Sequence, residues 1–218
     1  MVVTPTKPAP AVSERACAGR LASPPLRFQM LARENPFCSA RLEALPFRLP
    51  GSLTWETLLA KLASTQYCAS IVGPHGSGKS TLIEQLAPHL EERGLTPHLV
   101  RLSAESRLAE KDGVITFVRT LRASDVLLLD GAEQLSTRQW LPLRGAVDAL
   151  AGCIITVHRT SRLPTLLETE TSPALLEHLV GELTGGRLPP GEAANLHTRH
   201  RGNIRECLRE LYDRWAGE

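Results

Sequence analysis

The sequence predicts an α/β protein, a three-layer sandwich around a central, mainly parallel sheet with a small C-terminal helical lid. Three observations carry that prediction. Continuous apolar runs such as Val126-Leu127-Leu128-Leu129 and Cys153-Ile154-Ile155-Thr156-Val157 recur along the chain, and a strand apolar on both faces belongs in a parallel sheet covered on both sides. Helical-looking stretches separate these runs, which is the alternation of a parallel α/β sheet. Beyond residue 170 the pattern changes to three helical stretches in succession, so a helical lid on an α/β core is the economical arrangement.

Size and composition set the bounds. The 218 residues are 42% hydrophobic and 22% charged, with a net charge of +2. A chain of this length buries roughly 70% of the surface its unfolded form exposes, enough for a core without metal or disulfide. Disorder throughout is excluded. No window approaches the ~20 consecutive apolar residues of a membrane-spanning helix, and the N-terminus lacks the ~7–15-residue apolar core of a secretory signal. A cytoplasmic protein without membrane contact is expected. The five cysteines (Cys17, Cys38, Cys68, Cys153, Cys207) are odd in number and never form a CxxC pair. Reduced thiols are therefore expected, rather than a disulfide framework or a zinc site. A pI near 8.4 is too weakly basic to argue nucleic-acid binding from charge alone.

In chain order, residues 1–26 carry Pro5, Pro8, Pro10, Pro24 and Pro25 without an apolar period, and read as an unfolded tail. Residues 28–50, with Phe28, Phe37, Phe47 and two Pro-Phe steps, read as an extended segment rather than a helix. Leu53, Leu58, Leu59 and Leu62 fall at helical spacing, and the β-branched run ending in Ile71-Val72 follows as a buried strand. Leu82, Leu86 and Leu90 recur every four residues until Gly94 supplies a stop, and Pro97 opens a strand over 98–102. Strands over 126–129 and 153–157 flank a helical stretch at 135–150, and a last strand is expected over 163–167. Helices over 173–183, 190–199 and 203–215 complete the chain, the last with Ile204, Leu208, Leu211 and Trp215 on one stripe. The expected layout is a tail at 1–26, an α/β core at 27–170 and a lid at 171–218.

The chemistry lies in Gly73-Pro74-His75-Gly76-Ser77-Gly78-Lys79-Ser80-Thr81. This run satisfies G-x-x-x-x-G-K-[ST] and stands between a predicted strand and a predicted helix, the context the motif needs. Glycines let the loop turn its backbone N–H groups inward around a phosphate, and the helix that follows points its positive end at the same anion. Lys79 would neutralise the β- and γ-phosphates, and the Ser80 hydroxyl would coordinate Mg²⁺ with Thr81 close behind it. A second motif lies about fifty residues on, where Val126-Leu127-Leu128-Leu129 ends in Asp130. A parallel strand delivers Asp130 to the sheet edge that carries the phosphate loop, where it can hold a Mg²⁺-bound water. Segment 28–50 is then either a packed leader or a flap over the nucleotide base.

With these residues the chain resembles the P-loop NTPases, whose fold is built on such a sheet. One strand intervenes in sequence between the phosphate-loop strand and the Asp130 strand, which resembles the additional-strand branch that includes the AAA+ and STAND ATPases. In that family the strand after the Walker B strand ends in a polar sensor. Thr156 and His158 occupy that place here, as sensors or as plain strand-end residues. Gly202-Asn203-Ile204-Arg205-Glu206 resembles the sensor 2 motif, whose arginine reaches the γ-phosphate from the lid, although a plain helix start with Asn203 as its cap explains the same letters. The resemblance covers roughly residues 37–215 and implies ATP and Mg²⁺ as cofactors.

Two departures qualify it. The hydrolytic glutamate usual in the family follows the Walker B aspartate directly, but Gly131 stands there, and Glu133 is the nearest carboxylate, either a displaced general base or a helix-start acid. No recognisable arginine-finger helix follows the sensor strand, leaving Arg159 and Arg162 as finger candidates or solvated loop residues. The basic run His197-Thr198-Arg199-His200-Arg201 with Arg205, Arg209 and Arg214 interleaves with Glu206, Glu210 and Asp213, as an ion-paired helix face does. Three functions compete: an ATPase that drives a conformational switch on a protein or DNA partner, a nucleotide-binding scaffold that does not hydrolyse, and a small-molecule kinase. The absence of N-K-x-D favours ATP over GTP, no LSGGQ-like signature suggests an ABC subunit, and the strand at 98–102 lacks the acid pair of metabolite kinases. The resemblance further implies a nucleotide-dependent homo-oligomer.

Overall fold

The computed structural model describes residues 34–159 and 163–217. The expected tail at 1–26, Phe28 and the finger candidate Arg162 lie outside the described residues. Among those residues are β1 (Cys68–Val72), β2 (Thr96–Arg101), β3 (Asp125–Asp130), β4 (Gly152–Val157) and β5 (Thr165–Glu168). They form one sheet in the order β2-β3-β4-β1-β5, with every neighbouring pair parallel. β4 thus lies between the phosphate-loop strand β1 and the Asp130 strand β3, the added central strand that the resemblance implied.

Side-chain alternation along each strand assigns the two layers. From β3, Val126 and Leu128 join Ala69, Ile71 and Ile154 against α2 (Trp55–Ser64) and α3 (Lys79–Glu91). Leu127 and Leu129 join Cys153 and Ile155 against α4 (Leu108–Val118) and α5 (Thr137–Val147) on the other face. Leu82, Leu86 and Leu90 of α3 are wholly buried. Each such side chain contributes roughly 1.5–3 kcal/mol, so α3 is firmly fixed to the sheet. On the other face, Ser136 caps α5 by accepting from Gln139 N, and Gln139 Nε2 donates to Asp112 of α4 (2.8 Å).

Three helices follow the sheet: α6 (Pro173–Thr184), α7 (Glu192–Arg199) and α8 (Ile204–Gly217). Leu176, Val180, Leu196, Ile204, Cys207 and Leu211 form their own apolar cluster, and Phe37 is buried among them. Residues 34–50 differ from the expected extended segment, because Ser-Ala-Arg-Leu-Glu forms a short helix, α1 (Ser39–Glu43). These residues have good intrinsic helix propensity; a turn closed by Cys38 N donating to Asn35 O (3.1 Å) precedes them, and Cys38 stands as the N-cap with the extended backbone usual there (ψ 152°). Helix α4 has almost no apolar stripe; it carries Gly113 in its middle and an exposed Leu108, which explains why periodicity gave no individual sign of it. No helix among the described residues is long and apolar enough to cross a membrane.

Candidate functional site

The phosphate-loop sequence connects the C-terminal end of β1 to the first turn of α3. Gly76 and Gly78 have φ of +70° and +85°, a region where a side chain is strained. Gly73 N donates to Val157 O of β4 (3.1 Å), and Ser77 Oγ donates to Pro74 O (2.9 Å), closing the loop on itself. The glycines are also required by what packs outside the loop. A Cβ on Gly73 would collide with Thr169, one on Gly76 with Asn203, and one on Gly78 would lie 3.1 Å from the Phe47 ring. The loop is therefore a turn clasped from three sides, by the β5–α6 connection, the lid and the leader segment. The leader is held in turn by Gln85 of α3, which accepts from Phe47 N (2.9 Å).

Lys79 is 7% exposed and its Nζ donates to the carbonyls of Gly73 and Pro74, both at 2.7 Å. Burial lowers its pKa, while the nearby carboxylates of Glu133 and Asp130 oppose that shift. Both carboxylates therefore lie within electrostatic reach of the loop lysine. Ser80 and Thr81, in the first turn of α3, are half-buried.

Asp130 ends β3 with one carboxylate oxygen accepting from Thr156 Oγ1 (2.6 Å). The same threonine oxygen accepts from Gly131 N (2.8 Å). Thr156 is 1% exposed and its hydroxyl proton is committed to Asp130, so in this geometry it positions Asp130 from behind. Gly131 is left-handed (φ +86°), and a Cβ there would collide with the Leu102 carbonyl oxygen. That explains why no glutamate follows Asp130: the end of β2 fills the space. After this turn, Ala132–Gln134 form a single 3₁₀ turn, which swings Glu133 back toward the site.

The carboxylate of Glu133 meets His158 Nε2 at 2.8 Å. His158, just past β4, has its Nδ1 3.2 Å from Lys79 Nζ and 3.3 Å from Gly73 O. A carboxylate only accepts, so Nε2 carries a proton and donates to Glu133, while Nδ1 faces an ammonium donor and a carbonyl acceptor and takes the role its tautomer sets. The ring of His75 stacks on that of His158 with centroids 3.6 Å apart. Partial burial, then the neighbouring His158 and Lys79, lower the His75 pKa. Lys79, Asp130, Glu133 and the two histidines thus form one cluster at the C-terminal ends of β1, β3 and β4.

From the lid, Asn203 Oδ1 accepts from Glu206 N (3.3 Å), capping α8, and rests against Gly76. Arg201 and Gly202 just before it are both left-handed (φ +51° and +82°), which turns the chain into the helix. Arg205 is exposed but close enough to depress both His75 and Lys79. Arg159 is exposed beyond β4. The basic face of the lid is ion-paired: Glu210 takes Arg199, His200 and Arg214, and Glu192 takes Arg214.

Sequence reasoning missed three features of this cluster: the His158–Glu133 contact, the His75–His158 stack and the contact of Thr169 with the loop. Motif spacing gave no sign of them, because each pairs residues that are distant in sequence.

No family model matches the chain, and no curated protein matches it. Solved structures do. A RuvB variant of Thermotoga maritima is 19% identical, with a TM-score of 0.51 over 72% of this chain and 58% of that one. The Thermotoga maritima RuvB Holliday junction branch migration motor gives 19% and 0.50 over 73% and 61%. AMPPCP-bound DnaA from Aquifex aeolicus gives 16% and 0.53 over 78% and 62%. The chain spans about three fifths of the length of these structures, and at such identities the likeness is one of fold. With its five parallel strands, helices on both faces and a phosphate loop after the first strand, the chain has the fold of the P-loop NTPases, in the AAA+ arrangement of RuvB and DnaA.

Proposed function

We propose that this protein binds Mg-ATP and hydrolyses it to ADP and phosphate, and that the nucleotide drives a movement of the α6–α8 lid that switches affinity for a protein or DNA partner. One observation carries the reading. A buried lysine, a strand-end aspartate and a second carboxylate held by a histidine converge on a glycine loop at a helix N-terminus. Lys79 and the loop N–H groups of residues 75–81 would bind the phosphates. The residues also suit magnesium. Asp130 keeps one carboxylate oxygen beyond its Thr156 bond, Ser80 offers a hydroxyl, and among the described residues no cluster of three or more His, Cys, Asp or Glu is placed to hold a metal alone. That donor set fits an ion which keeps several waters and leans on phosphate oxygens. When bound, Mg²⁺ supplies neutralisation of the phosphate charge.

Glu133 would orient the attacking water as general base, with the Nε2 proton of His158 fixing its carboxylate. Arg205 would approach the phosphates from the lid, and Arg159 would act on a neighbouring copy in a nucleotide-dependent oligomer. A Holliday junction branch migration motor is among the proteins that share this fold, which keeps DNA among the partner classes. The test is phosphate release alongside equilibrium ATP binding. Lys79→Ala is expected to lose binding, and Glu133→Gln to bind while losing at least about a hundredfold in turnover. Wild type that binds no nucleotide would refute the reading. Tight binding without phosphate release would leave the second reading, a non-hydrolysing nucleotide-binding scaffold, which Gly131 in the place of the usual glutamate favours.

A further inference from the structure

The chain leaves β5 through residues 169–171 on its way to the lid, and the first of these is buried. Thr169 is 4% exposed. Its N donates to Val72 O (2.7 Å), and its hydroxyl lies 2.6 Å from the Ser77 hydroxyl. Ser77 in turn donates to Pro74 O, so a hydroxyl chain runs from Thr169 through Ser77 to the outer turn of the phosphate loop. Thr169 also occupies the space a side chain at Gly73 would need.

Two residues on, Thr171 Oγ1 is 3.2 Å from His197 Nε2 of α7. Both side chains line Gly202, which precedes Asn203, the residue that caps α8 and touches Gly76. The loop is thus gripped twice, at Ser77 by Thr169 and at Gly76 by Asn203. The two grips are joined through Thr171, His197 and Gly202.

Resting on the nucleotide reading above, we infer that Thr169 is a positioning residue for the phosphate loop: its hydroxyl holds Ser77 in place and ties the loop's conformation to the position of the lid. A phosphate drawing the loop N–H groups onto itself acts on Ser77 directly, and Thr169 and Thr171 pass that change to α7 and α8. Coupling of this kind requires the two lid positions to differ in their contact with the loop, a difference the Ser77–Thr169 hydroxyl pair would carry.

The test compares wild type with Thr169→Val, which keeps the branched shape and removes the hydroxyl, and with Thr169→Ser, which restores it. Mg-ADP affinity is measured by calorimetry, and amide exchange over 192–217 is followed with and without Mg-ADP. Thr169→Val is expected to weaken affinity about tenfold and to abolish the nucleotide-dependent change in lid exchange, while Thr169→Ser stays within about twofold with the lid response intact. Thr169→Val with wild-type affinity and lid response overturns the inference, as does Thr169→Ser failing alongside it. If Thr169→Val does not fold, Ser77→Ala removes the same contact from the loop side, and an unchanged lid response there overturns the inference. A folded wild type that binds no Mg-ADP marks failure of the underlying nucleotide reading instead.

Discussion

Replacing Thr156 with valine removes one hydroxyl that serves two partners. The side chain is buried in β4 and valine fills nearly the same volume, so no cavity term enters. What is lost is a 2.6 Å hydrogen bond to the Asp130 carboxylate and a 2.8 Å bond from Gly131 N. A hydrogen bond to a charged group is worth about 1.5–3 kcal/mol, and a buried N–H left without a partner costs about 1–3 kcal/mol. Because both depend on one oxygen they do not simply add, and a net loss of about 2–4 kcal/mol is expected. For a chain of 150–250 residues each kcal/mol moves Tm by about 2–4 °C, so Thr156→Val should lower it by roughly 5–15 °C. Asp130 loses its orientation as well, so Mg-ATP turnover should fall at least about tenfold, a barrier change of about 1.4 kcal/mol. Calorimetric melting and phosphate release measure the two effects. A Tm unchanged within error and a wild-type rate would show that Thr156 does not position Asp130, and that reasoning would fail.

Gly131→Glu, which restores the residue usual after a Walker B aspartate, should impair the protein. The left-handed φ costs about 1–2 kcal/mol for a side chain, and the new Cβ collides with the Leu102 carbonyl oxygen. Lower Tm with no gain in turnover is expected, and a faster enzyme would refute this account of the turn. His158→Ala frees Glu133 from the 2.8 Å contact. Turnover should drop about tenfold or more with less change in nucleotide affinity, and an unaltered rate would remove His158 from the machinery. Glu210, paired with His200 first and then Arg214 and Arg199, has its carboxyl lowered from the ordinary 4.5 to about 2. A depressed carboxylate contributes stability above its unfolded value, and that contribution is lost as pH falls from about 4.5 toward about 2. Glu210→Gln should therefore melt lower than wild type at neutral pH, by an amount equivalent to roughly 1 kcal/mol after solvent screening. The gap should narrow in melts taken below pH ~4, and a gap constant with pH would refute the pairing.

The parallel α/β core and the phosphate loop were legible in the amino-acid sequence. Both are written in local patterns: apolar runs of strand length, leucines every four residues in α3, and a glycine motif whose spacing follows from backbone geometry. Asp130 was legible too, as the end of an apolar strand, since strand direction alone brings that end to the loop. The wiring of the site emerged only with the packed chain. Thr156 reads as a sensor by position, yet burial commits its hydroxyl to Asp130. Gly131 reads as a missing glutamate until the Leu102 carbonyl is seen to occupy the space. The partners of Glu133, His75 and Ser77 lie 25, 83 and 92 residues away, and no periodicity records which side chains meet across strands. Helix α4 and the short α1 were likewise invisible, the first because it has no apolar stripe and the second because five residues are too few to show a period. Local patterns fix elements, whereas contacts between distant residues are settled by packing, and in this protein those contacts arrange the chemistry.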